Sequence, residues 1–210
     1  MRKLESFKGI HAGQSAVVCG CGVSAAGFRP SESLITIGLS DIGRLFDPTY
    51  LMVSNYLSQY PEHRREWILT SKARYIFTTL KYIELTTDNV VFCEPLKFAG
   101  TSFDRSDALN YSSTSAYAAL CLAVHLGANP IGLLGVDFND HHFFGETGAH
   151  PLSNELLNIQ AEFATLNSTL RSKGVDVYNL SATSRLTAFR NVPLSSFLGV
   201  SKAERAGIHR

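Results

Sequence analysis

Three histidines and three acids crowd into fourteen residues: Asp137, Asp140, His141, His142, Glu146 and His150. The residues between them, with Gly145 and Gly148, read as loop. An imidazole titrates near neutral pH, so one of these histidines suits proton transfer as a general acid or base. The same imidazoles and carboxylates would also suit a divalent ion, although their spacing matches no standard ligand pattern. A surface loop carrying incidental histidines is the third reading.

Such a loop needs rigid elements around it, and the stretch before it supplies them. Ser112, Ser113 and Thr114 offer hydroxyls to the free N–H groups of a first helical turn. Ala116 to Leu126 is nearly all good helix formers or small and apolar residues, which predicts a helix buried on most sides. Gly127 stops it and Pro130 prevents it from resuming. Ile131 to Val136 is an apolar run of the kind buried on both faces of a parallel sheet. Asp137 and Phe138 then stand at its carboxyl end, where open α/β sheets bind ligands.

The N-terminal half repeats that logic. Ser15 to Cys19 predicts a first strand, and it leads into Gly20-Cys21-Gly22-Val23-Ser24, a turn whose backbone could approach a phosphate or ribose. Glycines that serve only a tight turn are the plainer alternative. Strands over Leu34–Leu39 and Leu51–Val53 end at Ser40, Asp41 and Asn55. Asp41 follows the glycines by about 20 residues, where dinucleotide-binding proteins keep a ribose carboxylate, so a dehydrogenase stays open. His63-Arg64-Arg65 could hold phosphate, but a solvated helix face is the preferred reading. Further strands are expected at Tyr75–Phe77 and Val90–Cys93, and a connection or substrate lid over Glu94–Leu109. Leu152, Leu156, Ile159, Phe163, Leu166 and Leu170 recur at helical spacing and predict an amphipathic helix over 153–173, capped by Ser153 or Asn154. A last strand follows at Val175–Leu180, and beyond it the hydroxyls up to Ser184, with Arg185, could reach an anion, the plainer alternative being to cap a short helix that follows.

The fold class is therefore α/β, a mostly parallel sheet flanked by helices. The expected organisation is a lead-in at 1–14, a single nucleotide-binding domain over 15–198 with 56–110 as a lid or insertion, and a tail at 199–210. With 210 residues and a net charge of +1, the chain can build a full core and shows no broad electrostatic footprint for nucleic acid. Four cysteines without metal spacing read as buried thiols of a reducing compartment. No apolar leader or run of about 18 apolar residues occurs, so a cytoplasmic location and no transmembrane segment are expected.

The order of parts resembles a known group. Gly20-x-Gly22-x-Ser24 after the first strand, Asn55 after the third and Ser113-Thr114-Ser115 opening the central helix carry the likeness. So do Leu126-Gly127, Gly135-Val136-Asp137-Phe138, His150 before an amphipathic helix, and Asn179-Leu180-Ser181-x-x-Ser184-x-Leu186. Together they resemble bacterial CMP-sialic-acid sialyltransferases and the related motility-accessory-factor and DUF115 proteins, a superfamily that includes a 6-hydroxymethylpterin diphosphokinase. The resemblance implies a Rossmann-like sheet that binds a CMP-sugar donor without a metal or other cofactor and transfers the sugar to a hydroxyl acceptor. It puts Gly20, Gly22 and Ser24 along the nucleotide, and Asn55, Ser113 and Thr114 at phosphate and sugar carboxylate. Asp137 and Phe138 fall at ribose and base, and His150 is the general base. Two departures stand out: the glycine turn lacks the family's Asn-Gly-Pro-Ser pattern, and His141, His142, Phe143 and Phe144 replace the tyrosines that support the leaving phosphate. The alternatives are an ATP- and magnesium-dependent diphosphokinase using Asp137, Asp140 and Glu146, or a non-catalytic nucleotide-binding module. Homo-oligomerisation stays open.

Overall fold

A computed structural model describes residues 2–85 and 87–199; the expected tail lies outside the described residues from 200 onward. Eight strands form one wholly parallel sheet. They are β1 (Ala16–Cys19), β2 (Ile35–Leu39), β3 (Tyr50–Val53), β4 (Tyr75–Thr78), β5 (Val90–Phe92), β8 (Ile131–Leu134), β9 (Val177–Asn179) and β10 (Arg190–Asn191), in the order β10-β9-β8-β1-β2-β3-β4-β5. Two further strands, β6 (Glu94–Phe98) and β7 (Ala108–Tyr111), pair in parallel as a separate ribbon. The segment expected as a connection or lid over Glu94–Leu109 thus begins and ends in strand. Residues 56–110 also contribute β4 and β5 to the main sheet.

Strand composition explains the layers. β1, β3 and β8 are buried at every position, as parallel strands covered on both faces must be. One face carries helix α2 (Ser115–His125) and helix α3 (Leu156–Ser172), whose Tyr117 and Phe163 rings meet at 5.2 Å. The other face is closed by Ile68 of helix α1 (Glu62–Leu69), by Phe28, Leu57 and Tyr60, and by Phe197 near the end of the described chain. α2 is buried all round, and its four alanines let it lie close to the sheet. Thr114 caps it by accepting a hydrogen bond from the Tyr117 N–H at 3.3 Å, and Gly127 ends it at φ +83°. α3 starts later than its sequence suggests. Ser153 N–H is engaged by the His150 carbonyl at 2.9 Å, so Ser153–Glu155 forms one tight turn and the α-helix begins at Leu156.

After β1 the chain turns toward β2, whereas β8 lies on the opposite side of β1. The ends of β1 and β8 therefore flank the point where strand order reverses, the crevice in which open α/β sheets bind ligands. Here the two strand ends come unusually close. Gly20 N–H donates to the Leu134 carbonyl at 2.8 Å and Gly22 N–H to the Gly135 carbonyl at 2.8 Å. A Cβ on Gly20 would stand 2.4 Å from the Gly135 oxygen, and one on Gly22 would stand 2.5 Å from Asp137 Oδ2. The glycines of the first turn are thus required by the neighbouring strand end, independently of any ligand. Gly135, at φ +68°, turns the chain out of β8 one residue after Leu134, which is why the strand stops short of Val136.

A Cβ at residue 135 would be 2.3 Å from the Gly20 oxygen in a left-handed conformation. Gly135→Ala should therefore lower unfolding stability by at least about 2 kcal/mol, from overpacking plus backbone strain. Urea unfolding of the two proteins measures it.

Candidate functional site

The crevice opens into a cavity of ≈ 350 Å³, within the range of small-molecule sites. Its walls come from four of the places that the sequence singled out, the ends of β1, β2, β3 and β8, together with the start of α2. Gly20, Cys21 and Gly22 follow β1, Ser40 follows β2, and Asn55, Gln59, Tyr60 and Arg64 follow β3. Ser113, Thr114, Ser115 and Ala116 open α2, and Asp137, Phe138, His141, His142 and His150 follow β8. Backbone strain gathers here too: Ser40 (φ 51°) and Phe138 (φ 54°) are non-glycine residues in the left-handed region, and both line the cavity.

The helix start faces this space with polar groups. Ser54 donates to Ser115 Oγ at 2.6 Å, and Thr114 N–H donates to Ser112 Oγ at 3.2 Å, so the hydroxyls at the N-terminus of α2 are fixed in place. The first-turn N–H groups and the helix dipole make this end attractive to an anion.

Four predicted ligand residues have other employment. Ser24 lies outside the cavity lining; its N–H and Oγ–H donate to the two oxygens of Asp137 at 2.8 and 2.6 Å, and its Oγ accepts from Gly135 N–H at 2.9 Å. Asp137 lines the cavity but is only 2 % exposed, and its carboxylate is spent on the glycine loop. Ser184 donates to the Val136 carbonyl at 2.8 Å and accepts from Leu186 N–H at 3.0 Å, which shapes the turn after β9. Asp41 is the clearest departure from expectation. It is fully buried and is held by Arg64, whose Nε and Nη2 both reach it, with Arg44 Nε 3.0 Å away. A carboxylate so engaged is not free to bind a ribose. Its partner Arg64, which the sequence favoured as part of a solvated face, instead lines the cavity.

The histidine loop is folded over this wall. Phe143 N–H donates to the Cys21 carbonyl at 3.0 Å, and His142 bridges to Gly22. The Phe144 ring lies 4.4 Å from the Arg44 guanidinium and 5.4 Å from that of Arg64, and it stacks on His142 at 5.1 Å. His142 Nδ1 sits 2.5 Å from Thr147 Oγ1, a hydroxyl that serves either tautomer. Burial first, then the charge of Arg64, pushes the pKa of His142 below the usual imidazole value. His150 packs edge-on against Phe138 at 5.3 Å, and burial followed by Arg185 lowers its pKa as well, against a smaller opposing effect of Asp140. Its Nδ1 accepts from Leu152 N–H at 3.1 Å, so the neutral ring carries its proton on Nε2. His141 is exposed at the rim.

The metal alternative finds little here. Among the described residues no group of three or more His, Cys, Asp or Glu is arranged to hold an ion. Asp140 and Glu146 are exposed, while both Asp137 oxygens already accept hydrogen bonds. The four cysteines are buried free thiols; burial raises their pKa values, that of Cys93 to about 12, which makes them poor nucleophiles. No described helix is long and apolar enough to cross a membrane.

No family model matches the chain, and no curated protein matches it. Solved structures do match. The MAf glycosyltransferase from Magnetospirillum magneticum AMB-1 superposes with a TM-score of 0.53 at 12% identity, over 97% of this chain and 41% of that one. The chain thus spans less than half the length of that protein. The sialyltransferase CstII from Campylobacter jejuni, solved with the substrate analogue CMP-3FNeuAc, gives a TM-score of 0.53 at 14% identity, over 85% of this chain and 86% of that one. CST-II solved with a trisaccharide acceptor and CMP gives 0.51 at 12% identity, over 85% and 86%. Its structural neighbours are glycosyltransferases. At these identities the likeness is one of fold, and it matches the mostly parallel α/β architecture that the sequence predicts.

The hydrogen bond at His150 has a direct spectroscopic consequence. At pH 7, nitrogen-15 NMR of the unliganded chain should show His150 neutral with its proton on Nε2; a ring protonated on Nδ1 would contradict the geometry. Because His142 and His150 titrate below the unfolded value of about 6.5, the unfolded chain binds more protons as pH falls. The stability owed to their neutral state should be complete above about pH 6.5 and decline on acidification below it. His142→Asn and His150→Asn should each flatten that decline in thermal unfolding between about pH 7 and 5.

Proposed function

We propose that this chain is a transferase that moves a sugar from a nucleotide-activated donor, of the CMP-sialic-acid kind, to a hydroxyl acceptor. One observation carries the reading. A single cavity at the strand-order reversal gathers the glycine loop, Asn55, the Ser113-Thr114 helix start, Phe138 and the histidines. Its structural neighbours support it, because CstII has been solved with CMP and with CMP-3FNeuAc. On this reading the helix start and Asn55 meet the phosphate and the sugar, and Phe138 flanks the base. Asp137 and Ser24 act indirectly, by fixing the loop against which the nucleotide lies.

The chemistry follows from these groups. As the bond from the sugar carbon to the phosphate oxygen breaks, its electron pair leaves with the phosphate. The acceptor oxygen forms the new bond and gives up its proton. N–H donors at the leaving phosphate stabilise the charge gathering there, and one base at the nucleophile completes the step without a metal. His142 shares the Phe144 ring with Arg64, which puts it at the cationic wall, whereas His150 lies beside Phe138. On this reading the base is His150, a cavity histidine that does not stack on the Phe144 ring. To accept a proton at Nε2, the ring must first give up the Leu152 N–H and move its own proton to Nδ1. Substrate binding is the step at which catalytic hydrogen bonds commonly reach this alignment.

CMP without added metal should raise the melting temperature, by about 5–10 °C at a concentration 100 times its Kd. Stabilisation only by ATP with magnesium, or by NADH, would replace this reading with a kinase or a dehydrogenase. His150→Ala should cut turnover by about 10²–10⁴-fold with little change in CMP affinity. Undiminished turnover would remove His150 from the base role.

A further inference from the structure

We propose that Arg64 grips the phosphate of the nucleotide bound in this cavity, and that buried Asp41 is the residue that aims it. The proposal rests on the nucleotide-binding reading above and adds the element that reading lacks, a fixed positive charge at the leaving group. Among the described residues that line the cavity, Arg64 is the only arginine or lysine. It reaches the cavity from α1, in the charged segment between β3 and β4.

The geometry is that of a held guanidinium. Asp41 Oδ1 accepts from Arg64 Nη2 at 2.6 Å, and Nε lies 3.0 Å from both carboxylate oxygens. Nη1 takes no part in the pair, so one edge of the fork is pinned and the rest remains to meet a ligand. Arginine binds phosphate through such paired N–H groups with little loss of freedom when already held. Burial opposes the Arg64 charge, but the hydrogen bonds and field of Asp41 outweigh it and raise its pKa. The charge count around Asp41 also matters. Arg44 Nε also lies 3.0 Å from Asp41 Oδ2, so two guanidiniums share one buried acid and the cluster keeps a net positive charge. The serine-rich start of α2 lines the same cavity and supplies a second anion-favouring group.

Calorimetry with CMP, cytidine and inorganic phosphate tests the idea by isolating the phosphate. In wild type, CMP should bind more tightly than cytidine. Arg64→Ala should weaken CMP about 10- to 100-fold while leaving cytidine unchanged. Arg64→Lys should recover only part of that loss, since an ammonium cannot hold Asp41 through two nitrogens and also present a fork. Asp41→Asn should weaken CMP less than Arg64→Ala does, again sparing cytidine. Should Arg64→Ala fold poorly because it strands a buried acid, Asp41→Asn with Arg64→Gln removes both charges and should bind CMP and cytidine alike. Equal losses of CMP and cytidine would make Arg64 a structural pillar and overturn the proposal, as would unchanged CMP affinity. Binding of inorganic phosphate that needs Arg64, in a chain that ignores CMP, would keep this site and discard the CMP-sugar donor.

Discussion

The structure depends on how closely two strand ends can approach. Gly20 and Gly22 at the end of β1 press against Gly135 and Asp137 at the end of β8, at distances where no side chain fits. The Asp137 carboxylate then grips Ser24 through two hydrogen bonds, across 113 residues of sequence. This contact joins the halves of the sheet at the point where strand order reverses. It sets the floor of the cavity and starts the loop that carries the histidines. Both Asp137 oxygens find a donor inside the protein, so neither is left without a hydrogen bond. The glycines and the acid serve the scaffold first, and a ligand lies against what they build.

A second buried acid, 3.6 Å from the Cys21 thiol, organises the adjoining wall. Asp41, taken fully out of water, would be strongly destabilising alone, so its burial is explained only by the two arginines that meet it. Replacing such a cluster with apolar residues often costs a protein nothing in stability. Its presence at the cavity wall therefore fits a functional demand for a fixed positive charge better than a structural one.

Much of this was legible in the sequence, for identifiable reasons. The central helix, β8 and the glycine turn announce themselves through local chemistry: a hydroxyl cap, an unbroken apolar run, and glycines at a strand end. The α3 face follows from its spacing of three and four residues. The site was half legible, because the strand ends carrying small polar groups do converge. What escaped is long-range pairing. Asp41 stands at the spacing expected of a ribose acid, and nothing local shows that Arg64, 23 residues on, will claim it. The charged run around Arg64 looks like any solvated helix face. β6 and β7 were missed because β6 is largely exposed and carries no alternating apolar pattern, so only the pairing itself makes it a strand.

Phe144 ties these two walls into one system. Its ring rests on both guanidiniums and on His142, so the loop that carries the histidines is moored to the cation facing the cavity. Because one aromatic face serves both guanidiniums and an imidazole, losing that ring would loosen the loop and the two cationic side chains together.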